Sequence, residues 1–311
     1  MRLKKITALF LTGALILSMA GCAGNGSKDK KEGSAGNEAQ EPVKIATKPM
    51  TEQFILGEML KKLIEEKAGY EVELTKGIGG GTCNIQPAME NGEFDLYPQY
   101  TYSGWILVLG QKVGELRDDK MLAKRQEEYE EKFDRTWVGL YGQNNTYAVV
   151  VREDTAKKYN LETCSDLAAV SDQLVFGGNP DYIERADGLP GMSAAYGFQF
   201  KEIKDIDIGL KYQALRNGDI DVTNGYTTDA QISQGDVRAL KDDKSYQVNY
   251  FCSTVVRKDA LEKYPKLKET LELMDGILTD QKMAELNYQV EEEGRDEAEV
   301  AEEFLKTSGL L

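Results

Sequence analysis

From residue 43 onward the apolar positions alternate between two patterns, short runs suited to strands and wider stripes at helical spacing. Val43 to Thr47 predicts a short strand. Thr51 stands where a side chain can cap a helix, and Phe54, Ile55, Leu56, Met59, Leu60, Leu63 and Ile64 then recur at helical spacing. Gly69 ends that helix, and Tyr70 to Leu74 alternates as a second strand. Gly79-Gly80-Gly81-Thr82 opens the next helix. A glycine-rich turn at a helix start can cradle an anion through its N–H groups. This one lacks the Lys-Ser/Thr ending of a phosphate loop and the spacing of a dinucleotide fingerprint, so a tight turn with Thr82 near the cap is the better reading. The segments Lys258 to Leu278 and Gln281 to Leu311 are amphipathic and read as structural helices.

The same pattern repeats internally. Residues 88–101 (AMENGEFDLYPQYT) and 214–227 (ALRNGDIDVTNGYT) both run from a helix end through Asn-Gly into a short strand, then to a Tyr-Thr pair at the same offset. Asn-Gly tolerates positive φ and so serves as a helix stop and turn. The strands are short and apolar, as buried strands of an α/β sheet are. Two α/β lobes of similar build are therefore expected, each bringing a tyrosine (Tyr100, Tyr226) to a strand end, where open α/β sheets bind ligands. Asn145 to Arg152 and Tyr250 to Arg257 are also alike, each a β-rich run ending in Val-Val-Arg before a helix. They read as two crossings between lobes, with lobe I at 43–145 plus 252–311 and lobe II at 146–251.

The N-terminus bears on the compartment. Arg2, Lys4 and Lys5 precede an apolar stretch, Ile6 to Met19, that is short for a permanent membrane span, and Ala20-Gly21-Cys22 follows. This resembles a bacterial lipoprotein signal, with Met19 where leucine is usual. It implies that residues 1–21 are removed, Cys22 is acylated, and the domain is held on the extracytoplasmic face of the cell membrane. An ordinary signal peptide with a chance cysteine is the alternative. Residues 22–42 are rich in Gly, Ser, Asn, Lys and Glu and read as a flexible tether.

Charge and composition narrow the chemistry. The chain carries a net charge of -15, which becomes -18 once Arg2, Lys4 and Lys5 are removed. That argues against nucleic acid or anionic lipid as a partner. The chain has no histidine, so the commonest general base and metal ligand are missing. Cys83, Cys164 and Cys252 are scattered without metal-ligand spacing, and whether any two form a disulfide stays open. Neither a metal nor a cofactor is implied. Asp95 and Asp221 hold equivalent places in the repeat, which suggests framework rather than catalysis. The expectation is a binding protein and not an enzyme.

Several motifs, in order along nearly the whole mature chain, resemble the substrate-binding lipoproteins of osmoprotectant ABC transporters. They are Thr51-Glu52-Gln53-Phe54-Ile55-Leu56, Gly80-Gly81-Thr82, Asp95-Leu96-Tyr97-Pro98-Gln99-Tyr100-Thr101, Asn144-Asn145-Thr146-Tyr147-Ala148 and Gly225-Tyr226-Thr227-Thr228-Asp229. The resemblance implies a two-lobed type II periplasmic-binding-protein fold and a quaternary-ammonium ligand such as glycine betaine, carnitine or choline. It further implies a monomer that delivers its ligand to a membrane permease and its ATPase. It points to a tyrosine cage at Tyr100, Tyr141, Tyr226 and Tyr250, with Gln53 and Ser103 holding a ligand carboxylate. A trimethylammonium group is cationic yet has no N–H to donate, so electron-rich ring faces suit it, each worth roughly 0.5–2 kcal/mol. Tyr147, Tyr196 and Tyr212 are assigned to packing.

Two features depart from the family pattern or stay open. Tyr102 stands where the family has glycine, and with Trp105 nearby it could narrow the site, add an aromatic wall or pack outward. Asn144 is either a polar site residue or a turn residue. No Asp, Glu or Arg falls among the matched pocket positions, although Asp229 is close by. This disfavours the alternative ligands, an amino acid or a polyamine, whose ammonium groups want carboxylates. A secreted enzyme is the rival from another class.

Overall fold

The computed structural model describes residues 41–112, 118–184, 188–207 and 209–311. The leader, Cys22 and the tether up to residue 40 lie outside the described residues.

Ten strands form two five-stranded mixed sheets. The first draws on β1 (Val43–Ala46), β2 (Val72–Thr75), β3 (Leu96–Tyr100), β4 (Arg135–Asn144) and a last strand, Phe251–Arg257. The second uses β5 (Tyr147–Arg152), β6 (Val175–Gly178), β7 (Glu202–Asp205), β8 (Val222–Tyr226) and β9 (Val237–Leu240), which makes Phe251–Arg257 β10. The spatial orders are β2-β1-β3-β10-β4 and β7-β6-β8-β5-β9. In each sheet the central strand, β3 or β8, runs parallel to one neighbour and antiparallel to the other. The sheets therefore share one plan, and the internal repeat is its trace in the sequence.

The repeated residues do matching work. Gly92 and Gly218 adopt φ of +76° and +82° after the helices Thr82–Glu90 and Lys211–Asn217, conformations that side-chain-bearing residues rarely take. Asp95 accepts from the Lys44 N–H at 2.9 Å, and Asp221 from the Val175 N–H at 3.0 Å. Each aspartate thus ties a central strand to its parallel neighbour, a framework role. The two Val-Val-Arg runs are the strands by which the chain enters each sheet from the other. β5 pairs antiparallel with β8, and β10 pairs antiparallel with β3.

Each sheet covers its own core. Helix Thr51–Leu63 buries Ile55, Leu56, Met59 and Leu60 against the first sheet, with Met283, Leu286, Val300 and Phe304 of the C-terminal helices packed beside them. Val149, Val151, Phe176 and Val222 of the second sheet pack with Leu167 and Met192. The C-terminal stretches are each split in two, Lys258–Lys263 from Leu267–Glu272 and Asp280–Glu291 from Glu297–Thr307. Pro265 breaks the first, since it has no N–H for the helix ladder. Cys83, Cys164 and Cys252 are all free.

The first helix begins differently from expectation. Met50 is the N-cap residue and makes no side-chain cap hydrogen bond, while Thr51 is the first helical residue. Thr82 also opens its helix, but its hydroxyl turns inward to accept from Gln99 Nε2 at 2.9 Å.

Candidate functional site

The ends of β3 and β8, the start of β5 and the residue before β10 converge on a cavity of about 580 Å³. Tyr100 and Tyr226, the repeat-related tyrosines, are the last residues of the two central strands. Tyr147 opens β5 directly opposite Tyr226, and their rings stack with centroids 5.1 Å apart. Tyr250 sits just before β10, its N–H donating to Asn144 Oδ1 at 2.7 Å. These four tyrosines line the cavity with Ser103, and the apolar side chains of Met50, Ile106 and Leu107 form much of the rest. A larger cavity of about 690 Å³ follows the crossing segments at Thr146, Gln247 and Asn249 and shares Tyr147 with the first.

Two members of the expected site do not line this cavity. Tyr141 does not reach the cavity: it lies mid-strand in β4, fully buried in the core, with its hydroxyl 2.6 Å from Thr254 Oγ1. Tyr147, assigned from sequence to packing, occupies the cavity wall instead. The discriminating signal was positional, because Tyr147 starts a strand at a crossing whereas Tyr141 is an inward residue in the middle of one. Gln53 is also fully buried and does not line the cavity. It lies close to the Tyr100 hydroxyl, yet neither its amide nitrogen nor its oxygen closes a hydrogen bond of good geometry among the described residues. The structure brings Tyr100, Ser103, Tyr226 and Tyr250 together around one cavity.

The open residues also find places. Tyr102 and Trp105 are buried in a cluster with Met121 and do not line this cavity, while Tyr102 and Met121 line the larger one. The Tyr102 ring packs edge-on against Tyr250, 5.3 Å between centroids, so it supports that cavity residue from behind. Asn144 fastens the crossings. Its N–H donates to Asp280 Oδ1 at 2.6 Å, its amide donates to Asn249 at 2.9 Å, and its carbonyl accepts from Thr227.

Three acidic residues line the cavity, Glu52, Asp229 and Glu291, none of them among the family-matched positions. Asp229 is compensated within its own lobe. It lies 3.4 Å from the Lys211 ammonium and accepts from the Tyr212 hydroxyl at 2.5 Å and the Tyr226 N–H at 3.0 Å. Glu291 stands at the exposed rim on helix Asp280–Glu291. Glu52 is nearly fully buried. It accepts from the Tyr100 hydroxyl at 2.7 Å and from Asn145 Nδ2 at 3.2 Å. Burial pushes its carboxyl above the usual range, while hydrogen bonds from Thr228, Tyr100, Asn145 and Asn287 pull it back.

Helix Asp280–Glu291 was read as structural, yet it reaches the site. Asn287 lines the cavity and donates to the Thr228 carbonyl at 2.8 Å, just beyond Tyr226. Nothing in the apolar periodicity of that helix marks Asn287. Only the tertiary approach of the helix to the turn Ala230–Gln234 brings it there.

Both strand-end tyrosines also carry a buried lysine that does not line the cavity. Lys48 Nζ lies 4.5 Å from the Tyr100 ring centroid and donates to Gln99 Oε1; Lys211 Nζ lies 5.5 Å from the Tyr226 ring centroid. Burial pushes the Lys48 ammonium down to about 8.

Two similar sheets joined by two crossings, with a cavity at facing strand ends, define a solute-binding protein of the two-lobed periplasmic type. The comparisons narrow this further. Residues 41–307 match the OpuAC family, the substrate-binding domain of ABC-type glycine betaine transport systems, and the chain belongs to that family. It is thus an extracytoplasmic binding component of an ABC importer. It is 36% identical over 315 residues to a Listeria monocytogenes carnitine transport binding protein, OpuCC, covering 99% of this chain and 98% of that one. It is 41% identical over 271 residues, 87% of its length, to a Helicobacter pylori protein named as an ergothioneine transport permease and binding protein, EgtU. The chain spans about half of that relative, 48%. A crystal structure described as a glycine betaine/carnitine/choline ABC transporter matches with a TM-score of 0.81 at 36% identity, covering 86% of this chain and 99% of that one.

Proposed function

We propose that the chain captures a quaternary-ammonium solute in a cage of Tyr100, Tyr147, Tyr226 and Tyr250 and delivers it to a membrane permease driven by an ATPase. The observation that carries this reading is the convergence of four tyrosines from both sheets on one cavity. Glycine betaine, carnitine and ergothioneine, the compounds for which relatives are named, are all trimethylammonium carboxylates, so the shared element is the head that ring faces suit. Ser103 is the cavity hydroxyl available to a ligand carboxylate. Gln53, buried beside Tyr100 with its amide unused, becomes a second donor if the site rearranges on binding. Because the cage draws on both sheets, ligand holds the lobes together and raises the melting temperature by mass action.

Calorimetry with choline, glycine betaine, carnitine, ergothioneine and glycine tests the reading. Binding of at least one methylated compound with rejection of glycine is expected, because glycine presents N–H donors and a more strongly hydrated cation. Equal binding of glycine, or none by any methylated compound, contradicts it. The anchor is tested separately: Cys22→Ser abolishes fatty-acid labelling if Cys22 carries the lipid, and normal labelling of that variant refutes the assignment.

A further inference from the structure

Buried charges in proteins are normally paired, because a carboxylate removed from water costs several kcal/mol without a countercharge. Glu52 is an exception among the described residues. It is 4% exposed and lines the cavity, and among the described residues it forms an ion pair with no lysine or arginine. Its hydrogen-bond partners Tyr100, Asn145, Thr228 and Asn287 are all neutral. Lys48 is close enough for the Glu52 charge to act on it, but its ammonium donates to Gln99 and lies over the Tyr100 ring, and the two form no ion pair among the described residues. Asp229, on the second-sheet side of the same cavity, shows the usual arrangement, with Lys211 as its partner.

We infer that Glu52 is the specificity-determining countercharge of the site, a buried carboxylate whose cation arrives with the ligand. This rests on the quaternary-ammonium reading above and adds to it a fixed anion acting beside and through the cage. The geometry gives Glu52 two effects on a bound cation. Its charge attracts the cation directly across a poorly hydrated wall, where Coulomb interactions are less screened than in water. It also accepts the Tyr100 hydroxyl hydrogen, which leaves that ring more electron-rich toward a cation. Both effects act on charge and not on shape. Glu52 therefore discriminates a cation from a neutral molecule of the same outline, and it favours choline, with a net positive charge, relative to a zwitterion whose carboxylate it repels.

The test compares choline with 3,3-dimethyl-1-butanol, its uncharged carbon isostere, on wild type and E52Q. Wild type prefers choline. E52Q is expected to shrink that preference at least tenfold while isostere affinity changes less than threefold, and to weaken choline more than glycine betaine. A purely structural Glu52 weakens all three alike, and an unchanged choline-to-isostere ratio overturns the inference. Wild type binding none of these or of the wider methylated panel overturns the underlying reading as well.

A second measurement uses wild type alone, so the inference stays testable if E52Q does not fold. A bound cation favours the charged form of Glu52, so acidification from neutral pH weakens choline and leaves the isostere unaffected. The other titratable groups facing this region are Lys48, Cys252, Asp229 and Glu291. Parallel pH profiles for choline and its isostere contradict the inference.

Discussion

The two halves of the cavity are built from one plan and differ in how they manage charge. On each side an Asn-Gly turn leads into a central strand whose last residue is a cavity tyrosine, with a buried lysine near its ring and an acidic residue beside it. Around Tyr226 the charges cancel locally, since Lys211 meets Asp229 at 3.4 Å and Asp229 also accepts the Tyr226 N–H. Around Tyr100 no ion pair forms among the described residues: Lys48, though it feels the Glu52 charge, donates to Gln99, and the hydrogen bonds to Glu52 come from neutral donors. A repeated scaffold thus carries one half that is electrostatically complete and one half that a cation completes. The half with the local ion pair owes stability to it, and the other half trades that stability for recognition.

The largest expected effect breaks the symmetry through stability. Lys211→Met leaves Asp229 half-buried without its cation and is expected to cost about 3 kcal/mol in chemical denaturation, the scale for breaking a buried pair. Glu52→Gln removes an already unpaired buried charge, so it should leave stability unchanged or raise it. Equal losses in the two variants would mean that Glu52 has a local partner and that the two halves are alike.

Much of this plan was legible in the sequence because it rests on local rules. Asn-Gly turns, short apolar strands and the Val-Val-Arg runs obey backbone preferences within a few residues, so the repeat and the strand-end tyrosines Tyr100 and Tyr226 could be read directly. Family resemblance added Ser103 and Tyr250. The errors fell where two candidates shared one motif or where distant elements meet. Tyr141 and Tyr147 lie in the same stretch, and choosing between them needed the strand boundary: Tyr141 alternates inward within β4, while Tyr147 starts β5 at the crossing. Nothing local marks Glu52, in the first turn of its helix, or Asn287, on helix Asp280–Glu291, as site residues. Both become cavity residues only through tertiary packing, which apolar periodicity does not encode.

The central claim, that four strand-end tyrosines hold a methylated cation, is tested most directly at the position where structure and sequence reading diverge. The measurement is calorimetric affinity for choline or glycine betaine, whichever wild type binds more tightly, in Tyr147→Ala, Tyr147→Phe and Tyr141→Phe. Tyr147→Ala should lose about 1–3 kcal/mol of binding through lost ring attraction and apolar contact, and Tyr147→Phe should keep most of the affinity. Tyr141→Phe should bind like wild type and lose about 1 kcal/mol of folding stability, because its buried hydrogen bond with Thr254 is gone. Wild-type affinity in Tyr147→Ala, together with a binding defect in Tyr141→Phe, would contradict the cage described here.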